Sequence, residues 1–393
     1  MLQIPLSGIK KIEEVVNSSN EYISLSQGAL KIGGIPAPIK QFVKTILDTT
    51  KTDSYGSSFG LRELRETIAQ IQSARYNNTI TPAQVLPTHG GIGALSLVFL
   101  NQLEAGDEVI IPEPAYPSYA ILAQTARAKA VFVSCLKDSS VKDSGLKSTT
   151  DNSNIMWEID IDKIKAATTS KTKIIVFSNP TNPTGLVVPM STILELLDWC
   201  EQKGIYLVVD EAYRDYFFDK SFESVLSIVG KSERLISISS FSKNMAMSGW
   251  RIGYLVAPEN MIPSLSGIQD ALLNCLNNTA QYAAMYAMTR PDLVQELAEK
   301  VQAGKIAAVA CMQPLVDKGI FSFEVPKGGF FLFLKTDQKD ATDLCISILN
   351  KAKVGMIPGS TFGPSGKPFI RLCFARDVEV IEAGIDRLKK YFL

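Results

Sequence analysis

Short apolar runs alternate with segments of helical periodicity between about residue 85 and residue 260 of the chain. Strands separated by helices are typical of a largely parallel sheet, and the pattern predicts an α/β fold. The seven strand-like runs are VLPT, EVIIP, KAVFVSC, KIIVFS, IYLVVDE, RLISIS and IGYLVA.

The pattern changes on either side of this region. After residue 260 come helical segments and then two strand-like runs, KGGFFLFL and FIRLCFA, which predict a smaller α+β domain closed by the N-terminal segment. We therefore expect a large domain over residues 45–270 and a small domain formed by residues 1–44 and 271–393. A Ser- and Lys-rich segment at 136–154 predicts a flexible surface insertion without chemistry.

Composition narrows the class of protein. The 393 residues include 40 basic and 40 acidic side chains, a balance that gives no support for a nucleic-acid or anionic-membrane partner. The N-terminus resembles no signal peptide and no apolar run is long enough to span a membrane, so we expect a cytoplasmic protein.

The six cysteines lack paired spacing and are expected to be reduced. The single histidine, His89, argues against a histidine triad or a histidine-rich metal site, and we expect no metal. We expect His89 to have a turn role or to support a neighbouring site residue, rather than to be a catalyst.

Several of the predicted strands end in residues that can do chemistry. Because ligands of open α/β sheets bind beyond the carboxyl ends of the strands, we expect these segments to converge. They are THGG at 88–91, PEPAY at 112–116, NPTNPTG at 179–185, DEAY at 210–213 and SFSK at 240–243.

The segment SFSKNMAMSGWRIGY at 240–254 holds Lys243 and Arg251 but no acid to pair with either. A half-buried ammonium group loses solvation and its pKa falls, which makes Lys243 a candidate nucleophile. Asp210 ends the apolar run YLVV, and the glycines of HGGIGAL lie where a helix N-terminus favours a phosphate, which Arg251 can clamp. An amine, a carboxylate and an anion site are what pyridoxal phosphate requires.

The same glycines allow a different interpretation. GIGALS nearly matches a dinucleotide fingerprint, and Glu113 ends the next strand where a ribose-binding acid is expected, as in an NAD-dependent dehydrogenase. That hypothesis leaves Lys243, Asp210 and the NPTNPTG turn unexplained, whereas the pyridoxal phosphate hypothesis uses all three.

Four ordered motifs resemble those of the class I/II aminotransferases, the aspartate-aminotransferase-like enzymes of pyridoxal phosphate fold type I. They are NPTNPTG, DEAY, the lysine segment SFSKNMAMSGWRIGY, and PGSTFG with FIRLCFA. The resemblance covers nearly the whole chain. It implies a mostly parallel seven-stranded sheet in a large domain that binds pyridoxal 5'-phosphate, together with a smaller α+β domain.

The resemblance also implies a role for each candidate residue around the cofactor ring. Lys243 would form the Schiff base and move the proton between the substrate and the cofactor. Asp210 would bind the ring nitrogen, Asn182 and Tyr213 would hydrogen-bond the phenolic oxygen, and Tyr116 would stack on the ring.

At the two ends of the cofactor the resemblance implies further contacts. Gly91, Ile92, Ser240 and Arg251 would surround the phosphate, with Ile92 contributing only its main chain. Arg371 would grip the α-carboxylate of the substrate, close to Asn182, and Gly28 would let the N-terminal segment approach it.

The expected activity is transamination between an L-amino acid and a keto acid. DSYGSSFGLRELRETIA at 53–69 resembles the family segment that completes the partner chain's phosphate site, which implies a homodimer with shared active sites and a role for Tyr55. An alternative with the same cofactor is elimination or cyclisation on a hydroxylated or cationic, arginine-like amino acid. A non-catalytic pyridoxal-phosphate-binding regulator is expected to need a DNA-binding domain, for which the motifs leave no room.

Overall fold

The computed structural model describes residues 4, 6–137, 155–218 and 222–393. Helices of the described chain alternate with strands through its first two thirds. The helices are α1 Gly8–Val16, α2 Ala37–Leu47, α3 Arg62–Tyr76, α4 Gly90–Gln102, α5 Ser118–Thr125, α6 Ile161–Ala167, α7 Met190–Lys203, α8 Phe241–Asn244, α9 Ile262–Leu273, α10 Asn278–Met288, α11 Pro291–Asp317, α12 Thr342–Ala352 and α13 Val378–Phe392. The strands are β1 Ile23–Ser24, β2 Val85–Thr88, β3 Glu108–Glu113, β4 Lys129–Ser134, β5 Thr172–Ser178, β6 Tyr206–Asp210, β7 Leu235–Ser240, β8 Gly253–Val256, β9 Phe331–Lys335, β10 Val354–Gly355, β11 Ile357–Pro358 and β12 Phe369–Cys373.

The main sheet has seven strands in the order β2-β8-β7-β6-β5-β3-β4. β8 runs antiparallel to both of its neighbours, and the remaining pairs are parallel. β5, β6 and β7 are buried almost throughout, as expected for strands covered by helices on both faces. The predicted mostly parallel seven-stranded sheet is confirmed, and all seven apolar runs form its strands.

A smaller α+β region follows the main sheet, as the sequence predicts. β12 lies between β11 and β9 in an antiparallel sheet, and α11 packs against α13. The N-terminal segment joins this region because β1 pairs with β10 and the Leu25 carbonyl accepts from the amide of Cys373, 2.8 Å away. Residues of the N-terminal segment are therefore carried to the edge of the region that holds β12.

The predicted insertion at 136–154 lies mostly outside the described residues. Its first residue, Leu136, forms an antiparallel bridge with Trp157, and Lys137 donates its amide to the Met156 carbonyl at 2.9 Å. In the described part of the chain, no helix combines the length and the apolar character that crossing a bilayer requires.

Candidate active site

A cavity of about 700 Å³ opens at the carboxyl ends of β5, β6 and β7. Side chains from the N-terminal segment, α4, α5 and β12 complete its walls. The structure brings together eleven of the twelve candidate residues here: Gly28, Gly91, Ile92, Tyr116, Asn182, Asp210, Tyr213, Ser240, Lys243, Arg251 and Arg371.

Lys243 lies on α8, a single helical turn directly after β7. Ser240 caps this turn, its hydroxyl accepting from the Ser242 amide at 3.2 Å. The Lys243 ammonium donates to the Gly28 carbonyl and lies 5.8 Å from the centre of the Tyr213 ring. Burial lowers the pKa of Lys243 to about 8, so this amine is neutral far more often near pH 7 than an ordinary lysine.

Asp210 ends β6 and is buried. Its carboxylate accepts from the Tyr119 hydroxyl at 3.0 Å and from the Ala212 amide at 3.1 Å. Burial raises the pKa of Asp210, while these donors and the charge of Lys243 oppose the rise. The sequence predicts a cationic partner for this acid. Among the described residues its direct hydrogen bonds come from neutral donors, so a protonated ring nitrogen would add the missing charge.

Tyr119 is a site residue that the sequence analysis missed. It lies on α5, fully buried, and its hydroxyl bonds Asp210 and also interacts with the Ser178 side chain. In the segment SYAILAQT it is simply one apolar position of a helix, and its partner Asp210 is 91 residues away. No local pattern in the sequence could have identified it.

A chain of hydrogen bonds runs across the cavity from Tyr213 through Asn182 to Arg371. The Asn182 amide group donates to the Tyr213 hydroxyl at 3.4 Å, and Arg371 donates to the Asn182 side-chain oxygen at 2.9 Å. Arg371 also donates to the Ser26 carbonyl at 2.5 Å. Burial raises the pKa of Tyr213, so its hydroxyl keeps its proton and can donate.

Arg371 is fully buried, and its guanidinium group lies between the rings of Phe331 and Phe362, 4.3 and 4.8 Å from their centres. Its Nε has no hydrogen-bond partner among the described residues, and burial lowers its pKa to about 10. A buried guanidinium group with an open donor is suited to a carboxylate. Gly28 allows the close approach, since a Cβ there would lie 2.9 Å from the Phe331 ring.

The opposite end of the cavity is built to hold an anion. α4 begins at Gly90, whose φ of +68° suits glycine, and the N-cap residue His89 provides no capping side chain for the first turn. Arg251, itself exposed, donates to the carbonyls of Ser248 at 2.8 Å and His89 at 3.4 Å. Gly91, Ile92, Ser240 and Arg251 line this end of the cavity.

Two aromatic candidates are placed differently. Tyr116 lines the cavity and meets Tyr119 edge to face, with ring centres 5.6 Å apart. Tyr55 is 84% exposed and does not line the cavity of its own chain. His89 contributes its carbonyl to Arg251, in keeping with the turn role expected from the sequence.

The residues present fit pyridoxal phosphate. A lysine amine with a lowered pKa, a buried carboxylate, an open helix N-terminus and a cationic side chain occupy one cavity. Arg371 lines the same cavity and adds a positive charge suited to the carboxylate of an amino acid.

Comparisons with known proteins agree with this geometry. The model of the family "Aminotransferase class I and II" matches residues 20–388. Aspartate aminotransferase of Sulfolobus acidocaldarius is 31% identical over 90% of this chain and 86% of its own. The probable aspartate aminotransferase of Methanocaldococcus jannaschii is 31% identical over 97% and 96% of the two chains. The solved structure of aspartate aminotransferase from Thermotoga maritima has a TM-score of 0.84 at 28% identity and covers 99% of this chain and 97% of that one. An aromatic aminotransferase structure from Pyrococcus horikoshii gives 0.84 at 26%, over 97% and 98%.

Proposed function

The chain belongs to the class I and II aminotransferases and is a pyridoxal-phosphate-dependent enzyme of that family, and on this premise we propose its substrate class and the role of each residue in the cavity. The observation that carries the proposal is the buried Arg371 guanidinium group, which lines the same cavity as Lys243 and whose Nε has no hydrogen-bond partner among the described residues. This pair suits a substrate with an α-carboxylate beside an α-amine.

We propose that the substrate is an L-amino acid with an uncharged or acidic side chain. Of the described residues that line the cavity, Asp210 alone carries a carboxyl group, and it is already bonded to Tyr119. Lys10, Arg251 and Arg371 supply positive charge around it. A cationic side chain would meet repulsion there, which disfavours cyclisation of an arginine-like amino acid.

Each side chain then has one task in the reaction. The bound cofactor supplies an electron sink that acidifies the hydrogen on the substrate's α-carbon. Lys243 Nζ would take this proton from the α-carbon and pass it to the cofactor, a task for which a lowered pKa is an advantage. Asp210 keeps the ring nitrogen protonated, and Tyr119 holds the Asp210 carboxylate in place.

The remaining side chains position the two ligands. Arg371 would orient the substrate carboxylate and is itself oriented by Asn182, which also donates to Tyr213. Asn182 and Tyr213 would bind the phenolic oxygen of the cofactor. Tyr116 covers the ring face, and Gly28 brings the N-terminal segment over the carboxylate. The phosphate is held by Gly91, Ile92, Ser240 and Arg251.

We further propose a homodimer in which Tyr55 of one chain completes the other chain's phosphate site. The support is its exposure together with the fixed conformation of its loop, since Asn278 donates to the Ser54 carbonyl at 2.9 Å. A tyrosine hydroxyl held outside its own site is a ready donor for an anion.

Product analysis tests the reaction. A panel of amino acids is incubated with the enzyme, with and without a keto-acid acceptor, and the products are identified by mass spectrometry. Multiple turnovers that require the acceptor, with one new amino acid formed per keto acid, support the proposal. Turnover without an acceptor, giving an eliminated or cyclised product, would establish the alternative.

Subunit complementation tests the shared site. Inactive Lys243→Ala and Tyr55→Glu chains are mixed under conditions that exchange subunits. If the site is shared, one site of each mixed dimer carries both substitutions and the other carries neither, so activity rises above that of either parent. Exchange without such a rise would mean that Tyr55 does not act across the interface.

A further inference from the structure

A second, smaller cavity adjoins the active site. Its volume is about 240 Å³, and it lies between the start of α1, the end of β3 and the segment 361–363. Leu6, Ser7, Tyr116 and Ile121 line both this cavity and the active-site cavity. We call the smaller cavity the annex. Because the two cavities share these four lining residues, they adjoin each other.

The annex is apolar. No charged side chain lies among the described residues that line it, and Ile111, Ala120, Phe132 and Phe362 contribute hydrocarbon surface. Phe362 also packs on the Arg371 guanidinium group, 4.8 Å from its ring centre. The annex therefore lies one aromatic ring away from the group that holds the substrate carboxylate.

The walls of the annex are fixed by contacts that do not involve a ligand. The Ala115 amide donates to the Phe362 carbonyl at 2.8 Å, and the Ser365 amide donates to the Glu113 carboxylate at 3.0 Å. At Gly363, φ is +129° and a Cβ would overlap Glu113, so the segment lies closely against the end of β3. Such a wall holds the cavity open in advance, as in preformed ligand pockets.

The size of the annex limits what it can hold. An engineered apolar protein cavity of about 150 Å³ stays dry and binds benzene. At about 240 Å³ the annex has room for a phenyl ring or a branched alkyl group, and its few polar groups would hold water poorly.

We infer that the annex is the subsite for a large apolar side chain of the amino-acid substrate, an aromatic or branched aliphatic one, while Arg371 holds its carboxylate. This inference rests on the proposed function, because it requires that an amino acid be the substrate. Transfer of the apolar side chain from water into the annex supplies the preference over alanine.

A filled annex tests the inference. Ala120 lines it from α5, and Ala120→Leu adds bulk there with a residue that favours helices. Thr125→Leu adds an apolar side chain to an exposed position of the same helix and is the matched control. We expect Ala120→Leu to lower the ratio of kcat/KM for phenylalanine to kcat/KM for alanine by about 30-fold, and Thr125→Leu to leave this ratio within about twofold.

Inhibition of the wild-type enzyme provides a measurement that needs no variant. 3-Phenylpropanoate carries the carboxylate and the ring but no amine, and propanoate lacks the ring. We expect 3-phenylpropanoate to compete with the amino acid at about 30-fold lower concentration than propanoate, and Ala120→Leu to remove most of this advantage.

The outcomes separate the inference from its premise. If the enzyme transaminates alanine and aspartate but prefers neither phenylalanine over alanine nor 3-phenylpropanoate over propanoate, the annex is not a side-chain subsite. The proposed function then still holds. An unchanged ratio of kcat/KM for phenylalanine to kcat/KM for alanine in a folded Ala120→Leu enzyme would also show that the annex is not the subsite, and it would leave the proposed function standing. An enzyme that transaminates no amino acid overturns the proposed function itself.

Discussion

Lys243 and Lys10 line the same cavity but lie in opposite surroundings. Lys243 is half-buried on α8 at the end of a buried strand, and burial lowers its pKa to about 8. Lys10 is exposed on α1, at the cavity mouth. Burial makes one lysine a base and nucleophile, whereas exposure leaves the other a hydrated positive charge.

The two regions around these lysines differ in the same way. The cofactor end is formed by β6 and β7, whose side chains are placed by their register in the central sheet, and by the start of α4. The mouth is formed by the start of α1 and the annex, held by contacts between distant segments. We therefore propose that the central sheet determines the chemistry and that the mouth determines which substrate side chain is accepted.

Removal of the Lys243 amine should have the largest effect. We expect Lys243→Ala to lower kcat about 10,000-fold for every substrate, because both the nucleophile and the proton carrier are lost. Steady-state rates with alanine, aspartate and phenylalanine measure this. If the loss of kcat differed strongly between the three substrates, Lys243 would also determine which side chain is accepted, which contradicts the assignment of selectivity to the mouth.

Arg371 lies where the two regions meet. Arg371→Lys should raise KM about 30-fold for all amino acids, because a lysine cannot reproduce the planar fork of donors toward the carboxylate. The absorption spectrum of the bound cofactor should stay the same. A changed spectrum with an unchanged KM would mean that Arg371 acts on the cofactor rather than on the substrate carboxylate.

Tyr119→Phe should lower kcat about tenfold, because the hydrogen bond to the buried Asp210 carboxylate is lost and a hydrogen bond to a charged group contributes about 1.5 kcal/mol or more. Tyr119 acts on Asp210 and not on the substrate side chain, so kcat should fall equally for small and large substrates. A selective loss for phenylalanine would assign Tyr119 to the substrate side chain instead.

The smallest effect is expected at Lys10. Lys10→Gln should lower kcat/KM for aspartate relative to alanine about threefold, since an exposed charge pair contributes little. Lys11→Gln is the matched control, because Lys11 is also exposed but does not line the cavity. Equal ratios in the two variants would remove Lys10 from substrate recognition.

The sequence predicts the cofactor end better than the mouth for a physical reason. An apolar strand that ends in Asp210, and an acid-free segment that holds Lys243, are local patterns that are costly without a ligand. Tyr119 and the Ser26 carbonyl act on partners 91 and 345 residues away, and no local pattern encodes such contacts. The annex likewise exists only after α1 meets the segment 361–363.

Some predictions are not tested by the described residues. The division at residues 45 and 270 and the shared dimeric site stay predictions, and most of the segment 136–154 lies outside the described chain. The seven-stranded sheet is confirmed, because each of the seven apolar runs forms one of its strands.

Capture of the cofactor by the cofactor-free protein tests most directly whether burial makes Lys243 the reactive lysine. The protein is mixed with pyridoxal phosphate between pH 6 and 10, reduced with borohydride after short times, and mapped by peptide mass spectrometry. Because only the neutral amine attacks, the capture rate should rise with pH, reach half its maximum near pH 8 and place the adduct on Lys243. An adduct on another lysine, or a midpoint near the ordinary lysine value of 10.5, would contradict the account.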